Sequence, residues 1–285
     1  PDVRDFVEGC DCVLNLGALW SDFNTGAFTA KIDPSHMIAV MQHETRVGHA
    51  TFRDVEMRDV MEGLAKVVSP KPRSVVGPKG LGEPKGAPEE RISPDYLYPR
   101  FEKFLREGDI VMAETGTISM GLGFARMPTG AEFFNQTLWG AIGWATPAAF
   151  GAAVAAPDRR TLLFTGEGSH QMTVQELGQF GRFGLKPVVF CLNNDGYLIE
   201  RLLCKDPGSS YNDLAPWDYT QLPAAFGMPD WFCVRATTNA ELEEAMAKAE
   251  RCGTGAYVEV VMDRMAASPL AKKLGESIRT LYGDK

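Results

Sequence analysis

Residues 161–201, TLLFTGEGSHQMTVQELGQFGRFGLKPVVFCLNNDGYLIER, constrain the fold of this chain more than any other stretch. They open with a short apolar run over 161–165 of strand character, followed by the turn signal Gly166-Glu167-Gly168. Val174, Leu177 and Phe180 then recur at spacings that keep one face apolar, which predicts a helix over 171–183. Residues 187–192 read as a second buried strand. The helix descends about 20 Å at roughly 1.5 Å per residue, and the strand climbs back about 20 Å at roughly 3.3 Å per residue. A β-α-β crossover of this kind joins two parallel strands by a right-handed connection. Both strands therefore end on one edge of the sheet. Asn193, Asn194 and Gly196 fall beside Glu167 and Gly168, at the edge where open α/β sheets bind ligands. The predicted class is α/β with a doubly wound parallel sheet.

Backbone N–H groups at the start of the helix after GEGS, with its dipole, favour an anion such as a phosphate. Glu167, Asn194 and a loop rich in backbone carbonyls converge there as well. Hard oxygen ligands without His or Cys suit Mg²⁺, which commonly shares its octahedron with phosphates. The combination reads as a Mg²⁺-diphosphate site. For any one of these residues alone, the plainer reading is an N-capped helix with a solvated Glu in its first turn.

The rest of the chain supports two domains, an ordinary number for 285 residues. Residues 2–8 read as the end of a helix, 10–19 and 37–41 as strands, 21–29 as a polar loop and 55–67 as a helix. Residues 1–68 are thus a β-loop-β-α remnant of a second α/β domain. His36, His43 and His49 have no metal-ligand spacing and read as surface or structural residues. Residues 69–93, rich in Pro, Gly and Lys, read as a linker. The second domain, 94–264, starts with a helix through 104 and a strand over 109–114. A Gly-rich passage from Thr115 to Gly121 follows, equally consistent with a ligand loop and a structural turn. Gly140 to Gly143 read as the start of a small-residue helix, 197–203 follows the core motif, 204–218 is a loop, and an amphipathic region precedes a strand over 256–262. Residues 265–285 read as a charged tail.

A net charge of −8 without a basic, aromatic-interleaved patch argues against nucleic acid as a partner. Residues 133–157 carry no Asp, Glu, Lys or Arg, yet their glycines, Asn135, Gln136 and Pro147 suit a loop and a packed helix rather than a membrane span. Six cysteines without a CxxC, mostly in apolar runs, read as reduced thiols of a cytoplasmic protein. The chain begins at Pro1 and reads as the back part of a longer polypeptide.

GEGS, 23 further residues and then NNDGYLIE resemble the thiamine-diphosphate (ThDP) motif of the 2-oxo acid decarboxylases, in their pyruvate and indolepyruvate decarboxylase branch. Glu114-Thr-Gly-Thr117, Leu138-Trp-Gly-Ala-Ile-Gly143, Gln171-x-Thr-x-Gln-Glu176 and Tyr211-Asn-x-x-x-x-Trp217 extend the likeness. GALWSDFNTGAFT, within residues 1–68, resembles the end of that family's central domain. The resemblance implies that Glu167, Asn194 and the Gly196 carbonyl bind Mg²⁺, and that Gly168, Ser169 and Thr115 hold the diphosphate. Thr117 and the Gly140 carbonyl would meet the aminopyrimidine, and Ile142 would prop the bent cofactor. Glu200 matches the catalytic carboxylate that assists decarboxylation and protonation. Ser119, Met120, Ile199 and Leu203 match the substrate pocket, with Ile199 also against the cofactor. Ser119 leaves room for a bulky side chain, so an aromatic substrate such as indolepyruvate or phenylpyruvate is expected ahead of pyruvate.

Two departures matter. The family's first metal carboxylate is usually Asp, and with Glu167 the Mg²⁺ affinity is expected to be retained but weaker than in an Asp variant. His170 stands at a generally apolar position and is expected to pack in the first turn of the helix. The family's N-terminal domain carries the pyrimidine-activating glutamate and a histidine pair, and neither Glu44 nor any His here lies in a matching motif. The resemblance therefore implies a missing pyrimidine-binding half, a dimer or tetramer of complete subunits, and inactivity of this chain alone. The rival expectations are an acetolactate-synthase-like carboligase and a non-catalytic scaffold subunit with an altered metal site.

Overall fold

The computed structural model describes residues 2–22, 24–26, 28–69 and 79–282. Contacts divide the chain into two compact units, Pro1–Pro78 and Lys79–Lys285.

The first unit runs α1 (Asp2–Glu8), β1 (Val13–Leu16), β2 (Met37–Val40), β3 (Glu44–Val47), β4 (Ala50–Arg53) and α2 (Met57–Val67). β1 pairs parallel with β2, and β2, β3 and β4 continue antiparallel. β1 is shorter than the run 10–19 suggested, because Gly17 turns to φ +66 and its N–H closes onto the Val40 carbonyl. The hairpin β3–β4 is an addition to the sequence reading. Val47 faces Ala50 across a two-residue turn, and Gly48 at φ 56 supplies the left-handed conformation that such turns demand. His36, His43 and His49 are exposed as expected, and His43 Nδ1 pairs with Glu56 Oε1 at 2.8 Å.

The second unit runs α3 (Pro94–Phe104), β5 (Ile110–Ala113), α4 (Thr117–Leu122), β6 (Glu132–Phe134), α5 (Ala145–Ala155), β7 (Thr161–Gly166), α6 (Glu167–Thr173), α7 (Leu177–Arg182), β8 (Val188–Asn193), α8 (Leu198–Leu203), α9 (Leu222–Ala225), β9 (Phe232–Ala236), α10 (Asn239–Ala249), β10 (Ala256–Val261) and α11 (Pro269–Tyr282). Its six strands form one sheet in the order β6-β5-β7-β8-β10-β9, parallel throughout. Parallel strands buried on both faces read as unbroken apolar runs, which is why LLF and VVFCL carry no polar alternation. The period of two still sorts the faces. Phe164 and Phe190 pack with Phe101 and Phe104 on one side, whereas Leu163, Val189 and Tyr257 pack with Ala149 and Phe180 on the other. The doubly wound α/β expectation is met.

Several boundaries differ from the sequence reading. Residues 79–93 of the expected linker belong to the second unit: Ile92 is 2% exposed, and Asn239 donates to the Ala87 and Glu90 carbonyls. Residues 70–78 lie outside the described residues. Gly140 to Gly143 are loop, with Gly140 at φ 60 and Gly143 at φ 80, and α5 starts only at Ala145. Gly166-Glu167-Gly168 is a helix start rather than a turn. The helix expected over 171–183 is α6 and α7, broken where Thr173 leaves helical geometry and its hydroxyl donates to the Gly143 carbonyl at 2.7 Å. The amphipathic region contains β9 and α10, and α11 replaces most of the charged tail, its Ala271 packing with Leu198 and Leu202 of α8. Among the described residues no helix is long and apolar enough to cross a membrane.

Candidate active site

β7 and β8 run in register, with Gly166 opposite Leu192, so both strands end on one edge as the crossover geometry requires. A cleft opens there. Thr115, Thr117, Ile142, Glu167, Gly168, Ser169, Asn194, Gly196 and Ile199 all line it, together with Tyr98, Tyr197, Met262 and Ala266.

Glu167 opens α6 and is 3% exposed. Its Oε1 accepts the backbone N–H groups of Asn194 at 3.1 Å and Gly196 at 2.8 Å. Burial pushes its carboxyl up to about 7, and those two N–H donors pull the other way. The side-chain amide of Asn194 lies 3.1 Å from Glu167 Oε1 and 3.0 Å from the Gly196 carbonyl oxygen, and with its nitrogen on that side it donates to both. Turned over, the same amide presents its oxygen there, beside the carboxylate and the carbonyl. Oxygens on neighbouring corners of a Mg²⁺ octahedron with 2.0–2.1 Å bonds stand about 2.9 Å apart, close to the spacing found. The residues present thus fit a hard cation. The described residues contain no group of three or more His, Cys, Asp or Glu able to hold a metal, so any cation here depends on the amide and the carbonyl.

The loop between β8 and α8 has an unusual backbone. Asp195 lies at φ 56 and Gly196 at φ 140. A Cβ on Gly196 would overlap the Asn212 carbonyl oxygen and Arg201 Nη2. Gly196→Ala is therefore expected to cost about 3 kcal/mol or more, combining backbone strain with overlap in a buried loop. Gly116→Ala is the control: it lies at φ 122 in open space, so only the backbone cost of about 1–3 kcal/mol remains. Equal denaturation midpoints for the two variants would refute the overlap. Gly168 is likewise needed for packing, since its Cβ would stand 2.5 Å from the Tyr197 ring and 2.9 Å from Leu214.

A second loop completes the cleft. Glu114, at the end of β5, is fully buried, accepting from Thr115 N at 2.9 Å and Ala145 N at 3.1 Å. Burial raises its carboxyl, while N–H donors from Ala145, Thr115, Gly143 and Trp144 lower it. It thus caps α5 from another element and ties down the loop carrying Ile142. Thr115 Oγ1 donates to the Gln136 carbonyl at 3.2 Å, and Gly140 lies near Thr115 without lining the cleft. The sequence reading missed Glu114 as a cap, because a non-local cap leaves no local spacing to read.

Not every expected residue converges. Residues 117–122 are helical, and about 100° of rotation per residue turns Ser119 to the side opposite Thr117, whereas Met120 stays within about 60° of it. Ser119 Oγ donates to the Gly116 carbonyl at 3.0 Å, and Met120 lines a separate cavity with Leu81, Phe124 and Leu270. Leu203 lines neither, and Glu200 is exposed on α8 beside Ile199.

His170 turns away from the cleft. It is fully buried, its Nδ1 lies 3.0 Å from Thr146 Oγ1, its ring packs 5.8 Å from Tyr257, and its Nε2 has no partner. First-turn packing is confirmed. Burial pulls the imidazole from 6.5 down to about 4. The unfolded chain therefore binds the extra proton first, and stability is lost as pH falls from 6.5 towards 4. The protein is expected to be about 2 kcal/mol less stable at pH 5 than at pH 7.5 on this account. Urea midpoints that shift equally with pH in the protein and in His170→Gln would remove His170 as the cause.

All six cysteines are free, and burial pushes the Cys191 thiol up, away from reactivity.

The family model for "Thiamine pyrophosphate enzyme, C-terminal TPP binding domain" matches residues 114–260, which hold this cleft's lining apart from Tyr98, Met262 and Ala266. Among curated proteins, the chain is 36% identical over 281 residues to "Alpha-keto-acid decarboxylase" of Mycobacterium ulcerans, covering 97% of this chain and 50% of that protein. It is 36% identical over 277 residues to the protein of that name from Mycobacterium tuberculosis H37Rv, covering 95% and 49%. For Mycobacterium avium the figures are 37% over 282 residues, covering 96% and 49%. The chain spans about half the length of the curated relatives it matches. The sheet edge at which the crossover strands end thus lies within the matched domain, and the chain belongs to the thiamine pyrophosphate enzymes as the C-terminal portion of a 2-oxo acid decarboxylase family member.

Proposed function

We propose that this chain supplies the diphosphate and metal half of the active site in a ThDP- and Mg²⁺-dependent enzyme that decarboxylates a 2-oxo acid to an aldehyde and CO₂. The convergence of Glu167, Asn194 and the Gly196 carbonyl on one cleft edge carries the reading. Those three groups would hold Mg²⁺. Gly168, Ser169 and Thr115 would face the diphosphate at the start of α6, where backbone N–H groups favour anions. Thr117 and the Gly140 carbonyl would meet the pyrimidine, and Ile142 and Ile199 would give the cleft its apolar walls. When bound, ThDP supplies the electron sink for loss of CO₂. The chain's own residues orient it, exclude water and, through Glu200, deliver a proton. Residues 1–68 would end the preceding central domain. The pyrimidine-binding half, absent among these residues, would close the cleft and cover the exposed Glu200 in a dimer or tetramer of complete subunits. The free cysteines suit a reducing cytoplasm.

The substrate proposed is aromatic or bulky, such as phenylpyruvate or indolepyruvate. With Ser119 and Met120 away from the cleft, this preference rests on the resemblance of those positions and on Ile199. The test uses the full-length protein with ThDP and Mg²⁺, following CO₂ and aldehyde. Phenylpyruvate is expected to have a higher kcat/KM than pyruvate, and the reverse order would defeat the substrate assignment. Aldehyde from the 285-residue chain alone would contradict the half-site.

Glu167 in place of the usual Asp favours one alternative, a scaffold subunit that no longer binds the cofactor. Calorimetry decides: Mg²⁺-dependent ThDP binding rules the scaffold out, and its absence supports it. A carboligase is recognised by acetolactate as the product from pyruvate.

A further inference from the structure

Arg201 is the largest fully buried side chain of the described residues and takes no part in the chemistry above. It is 1% exposed, so its charge must be satisfied by protein groups. Only one carboxylate does so: Asp213 Oδ1 accepts from Nη2 at 3.0 Å, and Asp213 also pairs with Arg264 on the surface. The other partners are backbone carbonyls. Nη1 donates to the Asn194 carbonyl at 3.0 Å and to the Arg264 carbonyl at 3.4 Å, and Nη2 donates to the Asp195 carbonyl. Side chains on a helix lean towards its N-terminus, and Arg201 lies in α8 just after the loop, so its guanidinium reaches back beneath residues 194–196.

A peptide unit is planar and trans, so its C=O and N–H point in opposite directions. The Asp195–Gly196 peptide gives its carbonyl to Arg201 and its N–H to Glu167 Oε1 at 2.8 Å. The Asn194–Asp195 peptide gives its carbonyl to Arg201 and its N–H to Asn193 Oδ1 at 3.2 Å, while Asn193 is held by Glu259 at 2.7 Å. Each plane is gripped at both ends. Asp195 at φ 56 takes a left-handed conformation uncommon for a residue with a side chain, and Gly196 at φ 140 takes one that glycine adopts freely.

We propose that Arg201 is a positioning residue: by holding the Asn194 and Asp195 carbonyls it turns the loop so that the Asn194 side-chain amide meets both Glu167 and the Gly196 carbonyl. The inference rests on the metal reading of that oxygen cluster. It has a discriminating sign. By Coulomb's law alone, removing a buried positive charge near a cation site tightens cation binding. Removing a positioning residue weakens it.

The experiment titrates Mg²⁺ into the full-length protein in the presence of ThDP by calorimetry at 25 °C, for wild type, Arg201→Met, Arg201→Lys and Asp213→Asn, with thermal melts of the cofactor-free proteins alongside. Arg201→Met is expected to bind Mg²⁺ at least about tenfold more weakly while still folded at 25 °C, the range over which supporting partners act on metal affinity. Arg201→Lys keeps the charge but loses the two-carbonyl fork, and is expected to be weaker than wild type by about threefold or more. Asp213→Asn leaves the carbonyl contacts and is expected to bind within about threefold of wild type, on the argument that the fork and not the ion pair sets the loop. Equal or tighter Mg²⁺ binding in a folded Arg201→Met overturns the proposal. Should that variant fail to fold, wild-type affinity in Arg201→Lys overturns it instead. Wild-type protein that binds no Mg²⁺ sinks the metal reading itself, and this inference with it.

Discussion

Glu167→Gln is expected to weaken Mg²⁺-dependent ThDP binding by at least about 100-fold, since losing a ligand should cost more than losing its outer-shell support. The amide keeps an oxygen that can accept the N–H groups of Asn194 and Gly196, so the loop should stay in place. What disappears is the negative charge. The same substitution should stabilise the cofactor-free protein, because a buried carboxylate with a raised pKa resists ionisation. The folded state holds the proton up to about 7, whereas the unfolded group releases it near 4.5, so wild-type stability falls as pH rises through that window. The gain from Gln should thus reach about 3 kcal/mol above pH 7 and vanish below pH 4.5. Calorimetry and melting curves at pH 5 and pH 8 measure both effects. Cofactor affinity within tenfold of wild type would remove Glu167 from the metal site.

Glu200→Gln should act on turnover and leave binding alone. Glu200 is exposed and is not among the residues lining the cleft, so Mg²⁺ and ThDP affinities are expected to match wild type. A general acid contributes about 10²–10⁴-fold, and kcat for a 2-oxo acid should fall by that factor in the full-length protein. A fall in kcat of less than threefold would mean that another group delivers the proton, and weaker cofactor binding would place Glu200 in the cradle instead.

Together with Arg201, these residues divide the edge of the sheet into groups that would meet the ligand and groups that shape the backbone beneath it. Glu114 and Arg201 share a logic. Each is an ionisable side chain buried against backbone groups of a neighbouring loop, and each fixes a segment with left-handed residues: Gly140 and Gly143 beside Glu114, Asp195 and Gly196 beside Arg201.

Much of the site was legible before any coordinates because chirality and length carry information. Parallel strands joined by a right-handed crossover of matched length must end together, which placed Glu167 beside Asn194 and Gly196. Thr115, Thr117 and Ile142 joined them only through the resemblance, since glycines after a strand do not specify a ligand. Where the local signal misled, a distant partner had decided. Gly140 to Gly143 have small-residue helical character, but Glu114 draws the N–H groups of the next turn and sets the helix start at Ala145. Met120 packs against the α8–α11 cluster and lines a separate cavity instead of the expected pocket. The prolines of 79–93 suggested a free linker, yet Ile92 and the carbonyls of Ala87 and Glu90 are used by the second unit.

The sequence by itself determined the class of sheet, the edge at which the cleft opens and the donor types offered there, because apolar periodicity, chirality and side-chain chemistry are local properties of the chain. Only the tertiary structure decided which way the loop peptides face, which carboxylates and guanidinium are buried, and which predicted residues miss the cleft. Those outcomes depend on contacts between residues far apart in sequence, where desolvation and the planarity of the peptide set the geometry.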